Sequence, residues 1–403
     1  MILMLEEQEN RPRIVVVGVG GAGTNAIDNM DASGLRGVEF VAVNTDLQSL
    51  ELCRTENKLH IGTKVTLGLG TGANPLLGEQ AAEEDRAVIA EMLEGADLVF
   101  ITCGLGGGTG TGASPVIAEV AREMGALTVA ICTKPFDFEG TVRRRHGERG
   151  QRALREKVDT LITVPNQRLL NLVDDRTTLV DAFRIADSVL TQCVQSIADL
   201  ITRPGLINLD FSDIRAIMNQ QGGAVMGVGH GDGENRALQA FQQASQSPLM
   251  EEVVIEGAKG ILISVTAGPA VTLHELSRAM EEQIHPKADP DANIIFGVVL
   301  DDRFEDRMQV TILATGFENE MPETDISERP AAQSHPYSSE DTGWDRPAYL
   351  SKTDSHRHYP EEEEDVEEEE EVAVEQKEPE KPVRRGRLGQ RSEVLPAIFG
   401  TGL

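Results

Sequence analysis

Short apolar runs alternate with longer mixed stretches over residues 11–133. Ile14–Val17, Phe40–Val43, Leu98–Thr102 and Leu127–Cys132 are continuous apolar runs, the pattern of strands buried on both faces. Between them, apolar positions return at helical spacing. Asn74-Pro75 is a cap residue followed by proline at the first helical position. The helical pattern then runs through AAEEDRAVIAEMLEG and stops at Gly95. Another helix starts near Ser114-Pro115 and ends at Gly125. Strands alternating with helices predict an α/β unit with a parallel sheet.

A longer pattern follows. Leu179, Phe183, Ala186, Leu190, Val194, Ile197 and Ile201 share one helical face, so Leu179–Ile201 reads as a single helix. At ~1.5 Å per residue it is about 35 Å long, enough to connect two domains. Residues 223–316 hold a second set of strands: GILISVTA, NIIFGVVL and MQVTILAT, with the helix LHELSRAMEEQI between the first two. The last two strands are close in sequence, which predicts a hairpin and a mixed sheet. The expected fold is therefore α/β: a Rossmann-type N-terminal domain and a smaller C-terminal α/β domain, joined by a long central helix.

The pattern ends at Phe317. Residues 318–382 are rich in Pro, Ser, Glu and Asp, and Glu361–Glu371 is ten acidic residues around one valine. Such a segment has too little apolar surface to offset its ordering entropy, and its like charges repel; it reads as a disordered linker. Residues 383–403 regain pattern. Arg384, Arg385 and Arg387 precede the apolar tip EVLPAIFGTGL, which reads as a docking peptide or as a frayed terminus. Residues 1–10 read as a flexible N-terminus.

Charge narrows the partners. The chain has 403 residues and a formal net charge of −30, which argues against nucleic acid, since phosphate binding needs a basic footprint. Cys53, Cys103, Cys132 and Cys193 lie far apart with no CxxC pair, as expected of reduced thiols in a cytosolic protein. MILMLEEQEN turns acidic at once and is not a secretory signal, and no stretch reads as a membrane span.

Two glycine loops carry the candidate chemistry. GVGGAG, Gly18 to Gly23, follows the first strand and opens a helix. With Asp46 some twenty residues on, it also satisfies the dinucleotide fingerprint, with Asp46 on a ribose. The second loop, GLGGGTGTG at Gly104–Gly112, has no place in that scheme. Glycines let successive N–H groups turn toward one anion, and the next helix adds its N-terminal dipole. Thr109 and Thr111 offer hydroxyls. No Gly-Lys-Ser/Thr occurs, so this is not a Walker A loop. With no lysine at the phosphates, backbone dipoles and Mg²⁺ must meet their charge. A nucleoside triphosphate fits these loops better than a dinucleotide.

GGGTGTG, GVGGAGTNA and NTD at Asn44–Asp46 together resemble the tubulin superfamily, and more closely its bacterial cell-division branch. LGLGTGANP, KPFDFEG, PNQRLL, AFRIADSVL and NLDFSDIRAIM agree in order and spacing across residues 11–317. The resemblance implies a GTP-binding domain over 11–178, a central helix and catalytic loop over 179–222, and a C-terminal domain over 223–317. It implies a cytoplasmic GTPase that polymerises head to tail into the division ring on the inner face of the membrane. GTP or GDP with Mg²⁺ would be its ligands, the metal sitting on the phosphates and not on a protein side chain.

The same resemblance implies residue roles. Gly21, Ala22, Gly23, Thr24 and Asn25 would hold the α/β-phosphate and ribose side, and Asn44 would also bind the nucleotide. Gly107, Gly108, Thr109 and Gly110 would wrap the β/γ-phosphates, and Gly70, Thr71, Gly72 and Ala73 would close over the γ-phosphate. Glu139 and Arg143 would meet the ribose and phosphates, and Asn166, Phe183 and Asp187 the guanine. A carboxylate accepts from guanine N1–H and the 2-amino group together. Phe183 lies four residues before Asp187, on the same helix face. The loop with Asn208, Asp210 and Asp213 would reach the next subunit's γ-phosphate, where Asp210 and Asp213 would orient or polarise the attacking water and Asn208 would lie near the phosphates; taken alone, Asp210 and Asp213 read as helix-capping groups. Leu395, Pro396, Ile398 and Phe399 would dock membrane-tethering and regulatory division proteins. Thr71 departs from the family's usual alanine, and the tail lacks the usual basic residue after its apolar tip.

Overall fold

The computed structural model describes residues 12–317, apart from 171–175, 204, 208, 220–221, 248 and 251–256. The expectations for residues 1–10, for Asn208, for the linker 318–382 and for the tail with Leu395, Pro396, Ile398 and Phe399 lie outside the described residues.

The strands are β1 (Ile14–Val19), β2 (Glu39–Asn44), β3 (Asn57–His60), β4 (Leu98–Gly104), β5 (Leu127–Lys134), β6 (Thr160–Pro165), β7 (Gly222–Asp232), β8 (Gly260–Ala267), β9 (Asn293–Leu300) and β10 (Arg307–Thr315). They form one ten-stranded sheet in the order β3-β2-β1-β4-β5-β6-β7-β10-β8-β9. The half from β3 to β6 is parallel throughout. β1 is buried at every residue, which is why it reads as an unbroken apolar run.

The helices are α1 (Gly20–Ala32), α2 (Leu47–Leu52), α3 (Thr63–Thr66), α4 (Pro75–Glu84), α5 (Arg86–Leu93), α6 (Thr109–Glu123), α7 (Thr141–Lys157), α8 (Asn166–Leu169), α9 (Leu179–Thr202), α10 (Phe211–Met218), α11 (Arg236–Ser245) and α12 (Leu273–Gln283). Two cores flank the parallel half. One gathers Ile27, Met30, Phe100, Leu190, Val194 and Ile197 under α1 and α9. The other gathers Val17, Ile89, Ile101, Ile117 and Leu154 under the helices of the opposite face. Phe100 is wholly buried, so its truncation to alanine would cost about 3–5 kcal/mol. A third core, with Phe241, Ile263 and Ile312, belongs to the C-terminal region.

Several elements differ from the sequence expectation. The helix expected from Asn74-Pro75 to Gly95 is two helices, broken at Asp85. The Asp85 carboxylate accepts from the Gly62 N–H at 2.7 Å, tying the break to the loop before α3. The helix expected near Ser114 begins at Thr109 and carries Pro115 inside it. The Ser114 hydroxyl donates to the Gly110 carbonyl, binding the glycine-rich first turn together. The expected β9–β10 hairpin does not form. β10 runs antiparallel between β7 and β8, while β9 pairs in parallel with the other side of β8. The central place buries β10 from Val310 to Thr315 and leaves the half-exposed β9 at the edge. The mixed sheet itself is as expected.

Candidate nucleotide site

Parallel strands open a crevice outside their carboxyl ends, and the loops after β1, β2, β4, β5 and β6 all converge there. Gly20 adopts φ +70°, and a Cβ on it would sit 2.9 Å from the Gly110 nitrogen. The two glycine loops therefore meet backbone against backbone, and only glycine allows it. Gly21, Ala22 and Asn25 are exposed on the crevice side of α1. Gly23 and Thr24 are buried and serve the loop itself. A Cβ on Gly23 would meet the Thr102 carbonyl at 2.4 Å. The Thr24 hydroxyl donates to the Gly21 carbonyl at 3.0 Å.

The second loop divides in the same way. Gly107 faces open space. Gly108 is filled from behind, because a Cβ there would lie 2.0 Å from Thr71 Oγ1. Gly110 and Gly112 let α6 press against the strand ends and α4, with missing Cβ positions 2.8 Å from the Gly104 carbonyl and 1.9 Å from the Pro75 carbonyl. Half of this glycine run thus serves close packing. The Thr111 hydroxyl accepts from the Gly106 N–H at 2.9 Å and is buried in the loop. Thr109 pairs with the Thr45 hydroxyl at 2.6 Å and approaches Thr71 Oγ1 at 3.4 Å. Three threonines so link the turn after β2, the 67–73 loop and the start of α6. That 67–73 loop stores strain: Leu67 and Ala73 hold φ of 52° and 62°, a left-handed conformation that costs a non-glycine residue about 1–2 kcal/mol. Gly70 and Gly72 share the positive φ, and Gly72 and Ala73 are exposed toward the crevice.

Asn44 and Asp46 work locally. Asn44 Oδ1 accepts from the N–H groups of Thr45 and Asp46. Asp46 caps α2, accepting from the Ser49 N–H at 3.2 Å and the Ser49 hydroxyl at 3.1 Å. Both Asp46 oxygens are thus engaged, which counts against the dinucleotide reading that gave it a ribose.

The first turns of α9 form the far end of the crevice. Phe183 is 40% exposed, although its spacing matches the buried Ala186, Leu190 and Val194. Its ring meets Phe136 edge-on at 5.5 Å, and Phe136 stacks on Phe138 at 5.1 Å. One Phe183 face is left for a planar partner. Burial pushes the Asp187 carboxyl up to about 6, and a hydrogen bond from Asn29 opposes that rise. Asn29 Nδ2 donates to Asp187 Oδ2 at 3.1 Å. Asn166 is buried, and its Oδ1 has no partner. Asp187, with one donor, and Asn166 Oδ1, with none, are therefore two acceptors short of donors. A guanine edge supplies such donors, whereas adenine offers one amino group beside an acceptor nitrogen. Glu139 accepts from the Phe136 N–H at 2.8 Å and pairs with Arg143 at 2.5 Å, so both charges stand at the mouth after β5. Asn29, Phe136 and Thr45 were missed in the sequence. The Asn25–Asn29 spacing of four residues on α1 was the available signal for the first.

Asp210 and Asp213 lie elsewhere. The 24-residue α9 runs from the crevice to the opposite edge, where Thr202 packs on Gly37 ahead of β2. There α10 meets the amino ends of the strands: Arg215 reaches the Gly125 carbonyl, and Thr160 at the start of β6 donates to the Met218 carbonyl. Asp210 is the N-cap of α10, its Oδ1 accepting from the Asp213 N–H at 2.8 Å. Capping thus falls to Asp210, while Asp213 holds a first-turn position with its backbone so engaged. The approach loop is held to the C-terminal region. Leu206 N–H donates to the Val298 carbonyl at 2.8 Å, and Arg203 spans Asp199 and Asp301 at 3.3 and 3.1 Å. Arg303 and Arg203 keep the Asp301 carboxyl well below its ordinary range. Among the described residues no group of three His, Cys, Asp or Glu side chains is placed to hold a metal ion. No helix among them is long and apolar enough to cross a membrane.

A doubly flanked parallel sheet, paired glycine loops at its carboxyl edge and a long core helix leading to a mixed sheet define the tubulin-like class of nucleotide-binding proteins. Residues 13–174 match the Tubulin/FtsZ family GTPase domain, and residues 222–318 match the FtsZ family C-terminal domain. The chain is 49% identical over 310 residues to the cell division protein FtsZ of Caulobacter vibrioides, covering 77% of this chain and 61% of that relative's length. Among solved structures it superposes on the empty FtsZ dimer of M. jannaschii with a TM-score of 0.73 and 43% identity, over 77% of this chain and 89% of that one. CetZ2 from Haloferax volcanii, solved as a GTPγS-bound protofilament, shares the fold at a TM-score of 0.65 and 19% identity, over 77% and 94% of the two chains. This chain belongs to the FtsZ family.

Proposed function

We propose that this chain binds and hydrolyses GTP and assembles head to tail into filaments that build the division ring. The observation that carries this reading is a separation. The nucleotide crevice and the Asp210–Asp213 pair sit at opposite edges of one sheet, spanned by a 24-residue helix. A single subunit then holds two half-sites. Stacked copies bring the α10 end of one to the crevice of the next, and such a heterologous contact does not close.

In this reading the exposed backbone from Gly21 to Ala22 and the half-buried backbone at Gly107, with the N-terminus of α6, meet the phosphates. Gly70 to Ala73 cover the γ-phosphate, Glu139 and Arg143 the ribose side, and Phe183, Asp187 and Asn166 the base. Asp213 of the adjoining subunit orients the attacking water, Asp210 fixes the turn that presents it, and Asn208 lies near the phosphates. Mg²⁺ held by the phosphate oxygens offsets their charge. The C-terminal tail links filaments to membrane-tethering partners on the cytoplasmic face of the membrane.

The test is GTP turnover per subunit over a range of protein concentrations, with sedimentation of the same samples. Turnover that appears above a threshold together with pelletable polymer is expected. Turnover that stays flat with concentration means that one chain holds a complete site, and the reading fails.

A further inference from the structure

We propose that Asn29 is a positioning residue for the base, holding the Asp187 carboxylate in the orientation that accepts two donors at once, and so setting how well this chain separates guanosine from inosine nucleotides. The inference rests on the guanine reading of the crevice given above.

The argument begins with a torsion. The terminal torsion of an aspartate is broad, so a carboxylate without an anchor swings through a wide range. Asp187 stands half-buried on the third turn of α9, and among the described residues no cation pairs with it. Asn29 supplies the anchor. It lies on the α1 face that meets α9, one turn beyond Asn25, and donates to Oδ2 at 3.1 Å. One fixed oxygen fixes the plane of the carboxylate.

The choice of an amide matters. It donates one N–H and occupies one lone pair of Oδ2. The second lone pair of Oδ2 and both of Oδ1 stay available. A neutral donor also leaves the negative charge for the ligand, where a cationic one would neutralise it.

Guanine presents N1–H and the 2-amino group side by side, and a fixed carboxylate plane meets both. Hypoxanthine, the base of inosine, presents N1–H alone. A swinging carboxylate still satisfies one donor but pays ordering entropy to satisfy two. Loss of Asn29 therefore weakens guanosine binding more than inosine binding. A second carboxylate at position 29 faces Asp187 with like charge and favours a protonated pair. An O–H then stands where the base requires an acceptor.

The test is equilibrium binding of GDP, IDP and ADP to the full chain, for wild type, Asn29→Ala and Asn29→Asp. Asn29→Ala is expected to lower GDP affinity about fivefold and IDP affinity less than about twofold, so that the GDP-to-IDP ratio falls. Asn29→Asp is expected to lower GDP affinity further than Asn29→Ala. An unchanged ratio in both variants overturns the proposal, whether the two affinities stay put or fall together, because a merely structural role moves both nucleotides alike. Wild type that binds ADP as tightly as GDP overturns the guanine reading itself, and the role of Asn29 falls with it.

Discussion

The two edges of the parallel sheet solve different problems. The carboxyl edge is built from backbone. Glycines bring its loops into contact, Thr45, Thr71 and Thr109 link them, and Leu67 and Ala73 hold strained conformations between them. The amino edge offers Asp210 and Asp213 on the first turn of a short helix. The first edge offers a cradle of backbone between its glycine loops. The second has the carboxylates and no cradle. In the reading proposed above, the two edges work together only when two copies of the chain meet.

The sharpest break of this comparison is Asp213→Ala. It is expected to bind GTP with near wild-type affinity and to lose turnover by about 100-fold or more. Normal turnover at filament-forming concentration would remove Asp213 from the mechanism. Asp210→Asn sharpens the same point, because asparagine caps as well as aspartate. Its melting temperature and its turnover should both stay close to wild type, because the cap that presents Asp213 is kept; a clear loss of turnover at unchanged stability would mean that the Asp210 charge acts beyond the cap.

At the other edge, Gly108→Ala is expected to destabilise the fold by about 1–3 kcal/mol, since the new methyl overlaps Thr71. Adding Thr71→Ala should recover part of the loss in denaturant melts. Additive effects would mean that the two side chains do not share that space.

The pH dependence follows from Asp187. Its carboxyl sits near 6 without ligand, above its ordinary value, because burial disfavours the charge. In the proposed reading the base is met by the ionised form. GDP affinity should then be level above pH 7 and fall as pH drops through 6, by about tenfold per unit below it. Titration calorimetry between pH 5 and 8 checks this. The smallest effect is expected from Asn74→Ala, which removes the cap accepting from Leu76 N–H and should cost about 1 kcal/mol in thermal melts.

Much of the architecture was legible because burial is two-sided there. β1 and β4 read as apolar runs, and α9 read from Leu190, Val194 and Ile197. β3 did not, since Asn57–His60 is a polar edge strand. β7 did not either, because Gly227, Gly229 and Gly231 interrupt its pattern. Those glycines let the α11 backbone lie directly on the strand, with missing Cβ positions 2.0 Å from the Ala244, Ala240 and Arg236 carbonyls. The place of β10 is set by long-range pairing that no local pattern encodes. In the site, the glycine loops announced themselves, but the sequence did not say which glycines face the crevice and which admit a neighbouring helix. Nor did it say that Asp210, and not Asp213, is the cap.

The central claim is that the working site lies between subunits. Mixing two variants tests it most directly: Asp213→Ala, with an intact crevice, and Asp187→Ala, with an intact α10 edge. Each alone should hydrolyse little GTP. Together, in a pellet containing both, they should recover turnover, because one supplies the nucleotide and the other the carboxylate. A mixed polymer as inactive as its components would contradict the account.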